Sequence, residues 1–356
     1  MDKVVFFCPS KTWGGVEKNV LLRAKFLADK GYKVHIVLLK NHFTTKFESL
    51  KNVEIIQINS RGNDLNIFTL FNYIKLLKTI KPKAVFVALK KDWWLVSLAA
   101  HFSKVSNTIL YLGIKRKIKT SIKYKLVFNT LKAKVLVNSD SLKKHLLETT
   151  SYFNNSNLFR IYNGFQIPEN TIEKLNLVEN KSENIFFVGC AGRFSYQKGF
   201  DLLPEIIKNV PKNIHFIHIG QGPLEEEIKT KIKDAGLSHR IHFLGYLADS
   251  SIFFNSIDLF LLPSRFEGMA NVLNEALSHG KPVISTKVDG SCELLDYGKY
   301  GILTDIEDTY TMADAITKIQ SGEIKFDSKK QKERISSTFS MEKMISETEK
   351  LLFATI

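Results

Sequence analysis

Cysteine is scarce in this chain: only Cys8, Cys190 and Cys292 occur, odd in number, scattered, and in no C-x-x-C pair. Neither a disulfide framework nor a zinc site is indicated, and buried inert thiols in a reducing compartment fit the count. Glycine (19) and proline (8) are too few for a collagen-like or low-complexity chain. Long apolar runs are also missing. The stretch 84–89 falls far short of the roughly 20 residues that span a bilayer, so no transmembrane helix is expected. The opening residues 1–9 lack a long apolar region and a small-residue cleavage site; they read as a first strand and not a signal peptide, which points to the cytoplasm. No Gly-x-Gly-x-x-Gly follows that strand, which disfavours a dinucleotide oxidoreductase. No Asp-x-Asp pair occurs, so no metal or other cofactor is expected to hold a ligand diphosphate.

What is present is an ordinary globular composition, 44% hydrophobic and 24% charged over 356 residues. At roughly 150 residues per domain that length argues for two domains. The net charge of +15 is unevenly spread: residues 1–180 carry 30 Lys and Arg against 12 Asp and Glu, whereas the remainder has 21 against 24. Between Asp92 and Asp140 there is no acid at all, and nine Lys and Arg fall there. A first half of this kind suits an anionic partner such as a membrane surface, a phosphorylated lipid or sugar, or nucleic acid; a merely solvated lysine-rich face is the plain alternative.

Short apolar segments alternate with helical ones. Residues 4–8, 34–39, 53–58, 84–89, 108–112 and 134–138 read as strands, with helices over 16–27, 67–80, 93–102 and 121–131. The polar stretch 168–184 reads as a linker, and the pattern then restarts with strands at 185–190, 215–219, 240–243, 259–262 and 282–285. Buried strands alternating with helices mean parallel sheets covered on both faces. The expectation is an α/β chain of two doubly wound, Rossmann-like domains facing across a cleft: 1–168, a linker 169–184, 185–338, and a closing helix within 339–356 with one apolar stripe. Ligands in such sheets bind beyond the carboxyl ends of the strands, so loops after strands should carry the chemistry.

Three loops stand out. Gly14-Gly15 at the first strand-to-helix turn lets backbone amides approach a phosphate, though a plain tight turn needs such a pair as well. Arg193 and Lys198 sit directly after the strand 185–190 and supply two cations suited to a diphosphate, or simply two surface charges. The segment 262–276 places Glu267 in a loop and Glu275 eight residues on, in the second turn of a helix beginning near Asn271. Carboxylates there can accept from sugar or ribose hydroxyls, and the amides around Met269, Ala270, Asn271 and Val272 can donate to an anion.

The order and spacing of Gly-Arg-Phe-Ser-x-x-Lys-Gly-Phe-Asp-Leu-Leu at 192–203, Ile-Gly-x-Gly-Pro-Leu at 219–224, Phe-Leu-Gly-Tyr at 243–246 and Pro-Ser-Arg-Phe-Glu-Gly-Met-Ala-Asn-Val-Leu-Asn-Glu-Ala at 263–276 resemble the retaining glycosyltransferases of family 4. Gly-Lys-Pro-Val-Ile at 280–284 and Gly-Ser-Cys-Glu-Leu at 290–294 continue the match. It covers essentially the whole chain, most specifically over 190–295 and loosely between 31 and 134. The resemblance implies the glycosyltransferase B architecture, with an acceptor-binding first domain, a nucleotide-sugar-binding second domain and a last helix crossing back onto the first. It implies that Arg193 and Lys198 bind the donor diphosphate, Glu275 the ribose and Glu267 the transferred sugar. Met269, Ala270, Asn271 and Val272 would hold phosphate and sugar through amides, Gly220, Tyr246 and Leu247 would lie near the base, and Gly14 and Gly15 near the diphosphate.

The pattern departs from the family in one place. Many members place a histidine after a first-domain strand, but the corresponding loops here read Lys90-Lys91-Asp92-Trp93-Trp94 and Leu112-Gly113-Ile114-Lys115-Arg116. His101 falls in mid-helix and reads as structural. Lys115, Arg116 and Lys117 are candidates to meet an anionic acceptor or membrane, and Trp93 is either core packing or an aromatic platform for an acceptor sugar.

The resulting expectation is a metal-independent enzyme that moves a hexosyl group, with retention, from a nucleotide diphosphate-sugar, taken as a UDP-sugar, to a lipid-linked or lipopolysaccharide-type acceptor. Without an evident nucleophile, front-face displacement is the family's mechanism. The expected place is the cytoplasmic face of a bacterial inner membrane, bound peripherally to its anionic surface. An epimerase on the same fold, or a non-catalytic anion or nucleic-acid binder, are the alternatives; the second would leave the 190–295 loops unexplained.

Overall fold

The computed structural model describes residues 2–48, 50–59, 66–165, 173–175 and 185–353. The chain divides into two compact units, Met1–Gly164 with Met341–Ile356, and Phe165–Ser340. Most of the expected linker 169–184 lies outside the described residues.

The first unit is a seven-stranded parallel sheet. Its strands are β1 (Lys3–Phe7), β2 (Lys33–Leu39), β3 (Val53–Ile58), β4 (Ala84–Val87), β5 (Asn107–Leu112), β6 (Lys134–Val137) and β7 (Leu158–Arg160), in the order β3-β2-β1-β4-β5-β6-β7. The central strands are apolar on both faces because both are covered: Val5, Phe7, Val85 and Val87 pack under the helices Ile67–Ile80 and Trp93–Phe102, while Val4, Phe6, Ala84 and Phe86 pack against Gly15–Asp29 on the other side. Local chemistry sets the helix ends. Asn66 and Ser139 accept from the amides of Thr69 (2.9 Å) and Leu142 (3.2 Å) as N-caps. The expected helix over 121–131 is instead a short helix, Ile122–Lys125, running into a π-turn, Leu126–Thr130, closed by the Leu131 amide on the Leu126 carbonyl at 2.9 Å. The extra residue in that turn accompanies the burial of Phe128 against Trp93, Tyr124 and Phe153.

The last helix, Met341–Phe353, belongs to the first unit. Met344, Ile345 and Leu352 are buried in the same cluster as Val4 and Phe6. Glu349 takes the Lys30 ammonium at 2.5 Å and the Tyr32 hydroxyl at 2.6 Å, and Tyr32 stacks on Phe353 with ring centroids 4.3 Å apart. Donation to Glu349 pushes the Tyr32 phenol up to about 12.

The second unit is a six-stranded parallel sheet: β8 (Phe186–Ala191), β9 (Ile214–Ile219), β10 (Ile241–Phe243), β11 (Leu259–Leu262), β12 (Val283–Thr286) and β13 (Ile302–Thr304), in the order β10-β9-β8-β11-β12-β13. In both sheets the order reverses direction at the first strand, so each has a switch point, between β1 and β4 and between β8 and β11. Open parallel sheets leave a crevice for ligands there. The helix Ser328–Thr338 of the second unit, capped by Asp327 and with only Gln331 and Ile335 buried, carries too weak an apolar pattern for the sequence to show it.

All three cysteines are free; Cys8 and Cys190 are buried as expected, but Cys292 is half-exposed. Burial raises the Cys190 and Cys292 thiols above their ordinary range, which keeps them protonated and unreactive. Among the described residues no helix is long and apolar enough to cross a membrane.

Candidate functional site

At the switch point of the second sheet, the loop after β8 meets the loop after β11. Glycines make this approach possible. Gly192 (φ +151°) and Gly220 (φ +123°) adopt backbone conformations that side chains rarely take, and a Cβ on Gly220 would collide with the Gly192 carbonyl. A Cβ on Gly290 would run into the Gly268 carbonyl, so the helix Asp289–Leu294 braces the Glu267 loop from behind.

The loops join through Glu267, only 8% exposed. Its Oε1 accepts from Lys198 Nζ at 2.6 Å and from Ser264 Oγ at 3.0 Å, and its Oε2 from Gln197 Nε2 at 3.3 Å. A buried carboxylate held by three donors is fixed in direction, and Lys198 is fixed with it. Arg265 secures the frame of these loops. It grips Asp201 through two hydrogen bonds of 2.8 Å, pairs with Glu307 at 2.5 Å and lies 4.2 Å over the Tyr196 ring. The Arg265 contact holds the Asp201 carboxyl below its ordinary range.

Glu275 sits half-buried in the helix Asn271–Ser278 and accepts from Ser250 Oγ at 3.0 Å. That helix begins at Ala270 with no side-chain cap, and a helix start carries partial positive charge that favours an anion. Met269 and Ala270 are buried, while Asn271 and Val272 are half-buried at the helix mouth. Arg193 is exposed and makes no ion pair with a described residue. The Gly220 amide donates to the Gly245 carbonyl at 2.7 Å, which ties the loops after β9 and β10 together beside exposed Tyr246 and half-buried Leu247. Sequence reading names Glu267 and Lys198 but not Ser264 or Gln197, although both lie inside the quoted motifs. Among the described residues no group of three His, Cys, Asp or Glu could hold a metal ion.

The first unit has its own cleft, about 390 Å³, at the carboxyl ends of β1, β4 and β5. Ser10, Lys11, Thr12, Glu17, Lys90 and Arg116 are among its walls. Gly14 and Gly15 open the helix Gly15–Asp29 next to it, with no side-chain cap on Gly14. Lys115 and Lys117 are exposed, and the Lys117 carbonyl accepts from Lys90 Nζ at 3.1 Å. Trp93 is a packing residue. It has no exposed surface and stands edge-on to Tyr124 and Phe128 in the core, so no face of it is left for an acceptor sugar.

Residues 185–321 match the family "Glycosyl transferases group 1", and residues 10–141 match "Glycosyl transferase 4-like". Together they span most of the chain. It belongs to the family 4-type glycosyltransferases. Among the relatives of this chain, the lipopolysaccharide core biosynthesis glycosyltransferase LpsE of Rhizobium meliloti is 32% identical over 128 residues, 36% of this chain and 37% of that protein. The mannosyltransferase LpsB of the same organism is 34% identical over 36% of this chain and 40% of its own length. The chain thus matches well under half the length of both. A Campylobacter jejuni N-acetylgalactosamine-N,N'-diacetylbacillosaminyl-diphospho-undecaprenol 4-alpha-N-acetylgalactosaminyltransferase is 23% identical over 88% of each chain. Among solved structures, a glycosyltransferase from Rickettsia africae superposes with a TM-score of 0.85 at 19% identity, covering 99% of this chain and 97% of that one. Anabaena HepE, solved with UDP and glucose, gives 0.82 at 21% identity over the whole of both chains. The fold is therefore that of the glycosyltransferase B enzymes, two Rossmann-like units in one chain.

Proposed function

We propose that this glycosyltransferase moves a hexosyl group from a UDP-sugar, with retention and without a metal, onto a saccharide acceptor of lipid-linked or lipopolysaccharide type in bacterial surface-polysaccharide synthesis. The observation that carries the reading is the Lys198–Glu267–Ser264 cluster at the β8/β11 switch point, beside an uncapped helix start. Lys198 and Arg193 are suited to take the charge that builds on the leaving diphosphate, the work a metal does elsewhere. The first-turn amides at Asn271 and Val272 add to that, Glu275 suits the ribose hydroxyls, and Gly220, Tyr246 and Leu247 border the place for the base. Glu267 is fixed to accept from hydroxyls of the transferred sugar. No carboxylate is placed here as a nucleophile. In a front-face displacement the departing phosphate oxygen takes the acceptor proton, the bond to that oxygen breaks and the acceptor oxygen closes on the same face.

Relatives named for lipopolysaccharide core biosynthesis and for transfer onto an undecaprenol-linked saccharide support the acceptor class. Membrane attachment is supported by the helix Ile67–Ile80, where Phe68 and Phe71 are 79% and 62% exposed among lysines, and by Ile122, 81% exposed in the acid-free segment. This is the expected cytoplasmic-face, peripheral contact, with lipid and not nucleic acid as the anionic surface. Incubation with UDP-, GDP- and ADP-sugars in the presence of EDTA tests the chemistry. Slow release of UDP from one donor is expected; release that needs added metal, or silence across the panel in a folded sample, overturns it. Flotation with phosphatidylglycerol vesicles tests attachment, which the double variant F68S/F71S should lose.

A further inference from the structure

The first unit's cleft is lined by Lys11, Lys90, Lys91 and Arg116, and by a single carboxylate, Glu17. None of these four cations makes an ion pair with a described residue. Lys90 is the focus. It is half-buried, its Nζ donates to the Lys117 carbonyl at 3.1 Å, and it stands 5.7 Å from the Tyr124 ring centroid. Burial, and then Arg116, Lys123 and Lys119, all push its ammonium below the ordinary lysine range. Such convergence is unfavourable in the empty protein and becomes favourable when an anion arrives. The place is where parallel sheets take ligands, beyond the strands that flank the β1/β4 switch point, and the uncapped start of Gly15–Asp29 opens nearby. At about 390 Å³ the cleft has room for a phosphate together with part of a sugar.

Resting on the glycosyltransferase reading, we infer that this cleft binds a phosphate or diphosphate carried by the acceptor, gripped chiefly by Lys90 and Arg116. The donor's diphosphate is served in the second unit by Arg193 and Lys198. A half-buried ammonium inside a cleft is out of reach of a flat bilayer surface, so headgroups are not its occupant. Glu17, 7% exposed among these cations, is left to accept from an acceptor hydroxyl beside the phosphate. The phosphate can arrive on a prenyl lipid or on a sugar, and the two sources are separable.

The test is calorimetric titration of the full chain with farnesyl diphosphate, farnesol, glucose 6-phosphate, glucose, UDP and phosphatidylglycerol vesicles. Farnesyl diphosphate binding without farnesol marks a lipid-linked phosphate; glucose 6-phosphate binding without glucose marks a sugar phosphate. Either supports the inference if K90M and R116A each weaken the responding ligand by about tenfold or more and leave UDP within about twofold. A raised melting temperature of unliganded K90M shows that the fold is intact and that the lost binding is not a packing defect. Wild-type phosphate affinity in both variants overturns the inference, as does response to vesicles alone. Equal loss of UDP and phosphate binding in the variants also overturns it, because the cations would then serve the donor. If UDP fails to bind the unaltered chain, the nucleotide-sugar reading falls and takes this one with it.

Discussion

The two switch points use charge in opposite ways. In the second unit every central charge but one has a partner: Lys198 on Glu267, and Arg265 on Asp201 and Glu307, with Arg193 left exposed. In the first unit four cations share one cleft with a single acid and no ion pair among the described residues. A compensated site is pre-organised, since its side chains are already in place and little reorganisation is left for the ligand to drive. An uncompensated one is held against its own repulsion by the fold and gains most when an anion enters. The first suits a group that must be oriented for bond breaking, the second a group that must only be held.

The comparison breaks most visibly at Glu267. E267Q keeps the size and the Ser264 contact but removes the charge that fixes Lys198. Turnover with the responding donor should fall by about 10²- to 10³-fold, with UDP affinity changed far less. A fall in UDP affinity equal to the fall in turnover would show that Glu267 serves binding alone.

Arg265 comes next. R265A strands Asp201 and Glu307 and frees both loops, and chemical denaturation should show a loss of about 2–3 kcal/mol. R265K should recover only part of it, because one ammonium cannot make the two parallel bonds to Asp201.

The second unit also holds a buried neutral group without a partner among the described residues. His218 lies between Phe194 and Phe200, with ring centroids 3.9 and 4.5 Å away, and burial lowers it from 6.5 to about 3. Below pH 6.5 the unfolded chain binds a proton that the native ring refuses. Stability should therefore fall as pH drops from 6.5 towards 3, by up to about 1.4 kcal/mol per unit from this residue. Denaturant melts at pH 7.0 and 5.0 check it, and H218F should flatten that part of the slope.

How far the sequence shows these features depends on how local each one is. Strands such as β1, β4 and β11 are legible because burial on both faces makes them uninterrupted apolar runs. The edge strands Leu158–Arg160 and Ile302–Thr304 are three residues long and leave no run to read, and Ser328–Thr338 is a helix with Ile335 as its one aliphatic anchor. Glu267 and Lys198 stand out because each follows a strand in a glycine-bearing loop. Their meeting does not, since it requires β8 and β11, with 67 residues between them, to be neighbours in the sheet. Lys90 and Arg116 converge for the same reason, from the loops after adjacent β4 and β5. Trp93 is the converse case: the sequence leaves core packing and an acceptor platform both open, and the sheet's far face decides for the core.

The smallest effect sharpens the contrast by its sign. Removing a lysine that has a partner should cost stability or leave it unchanged, whereas removing Lys90 should add to it. K231M on the exposed helix Glu225–Asp234 breaks a 2.7 Å pair with Glu227 and should lower the melting temperature slightly or not at all. K90M relieves repulsion from Arg116, Lys119 and Lys123 while keeping an apolar stem against Tyr124, and should gain about 0.5 kcal/mol once solvent screening is allowed for. Added salt must shrink that gain, since mobile ions already shield the same repulsion. A gain that survives 0.5 M sodium chloride unchanged would trace to packing of the methionine and not to charge.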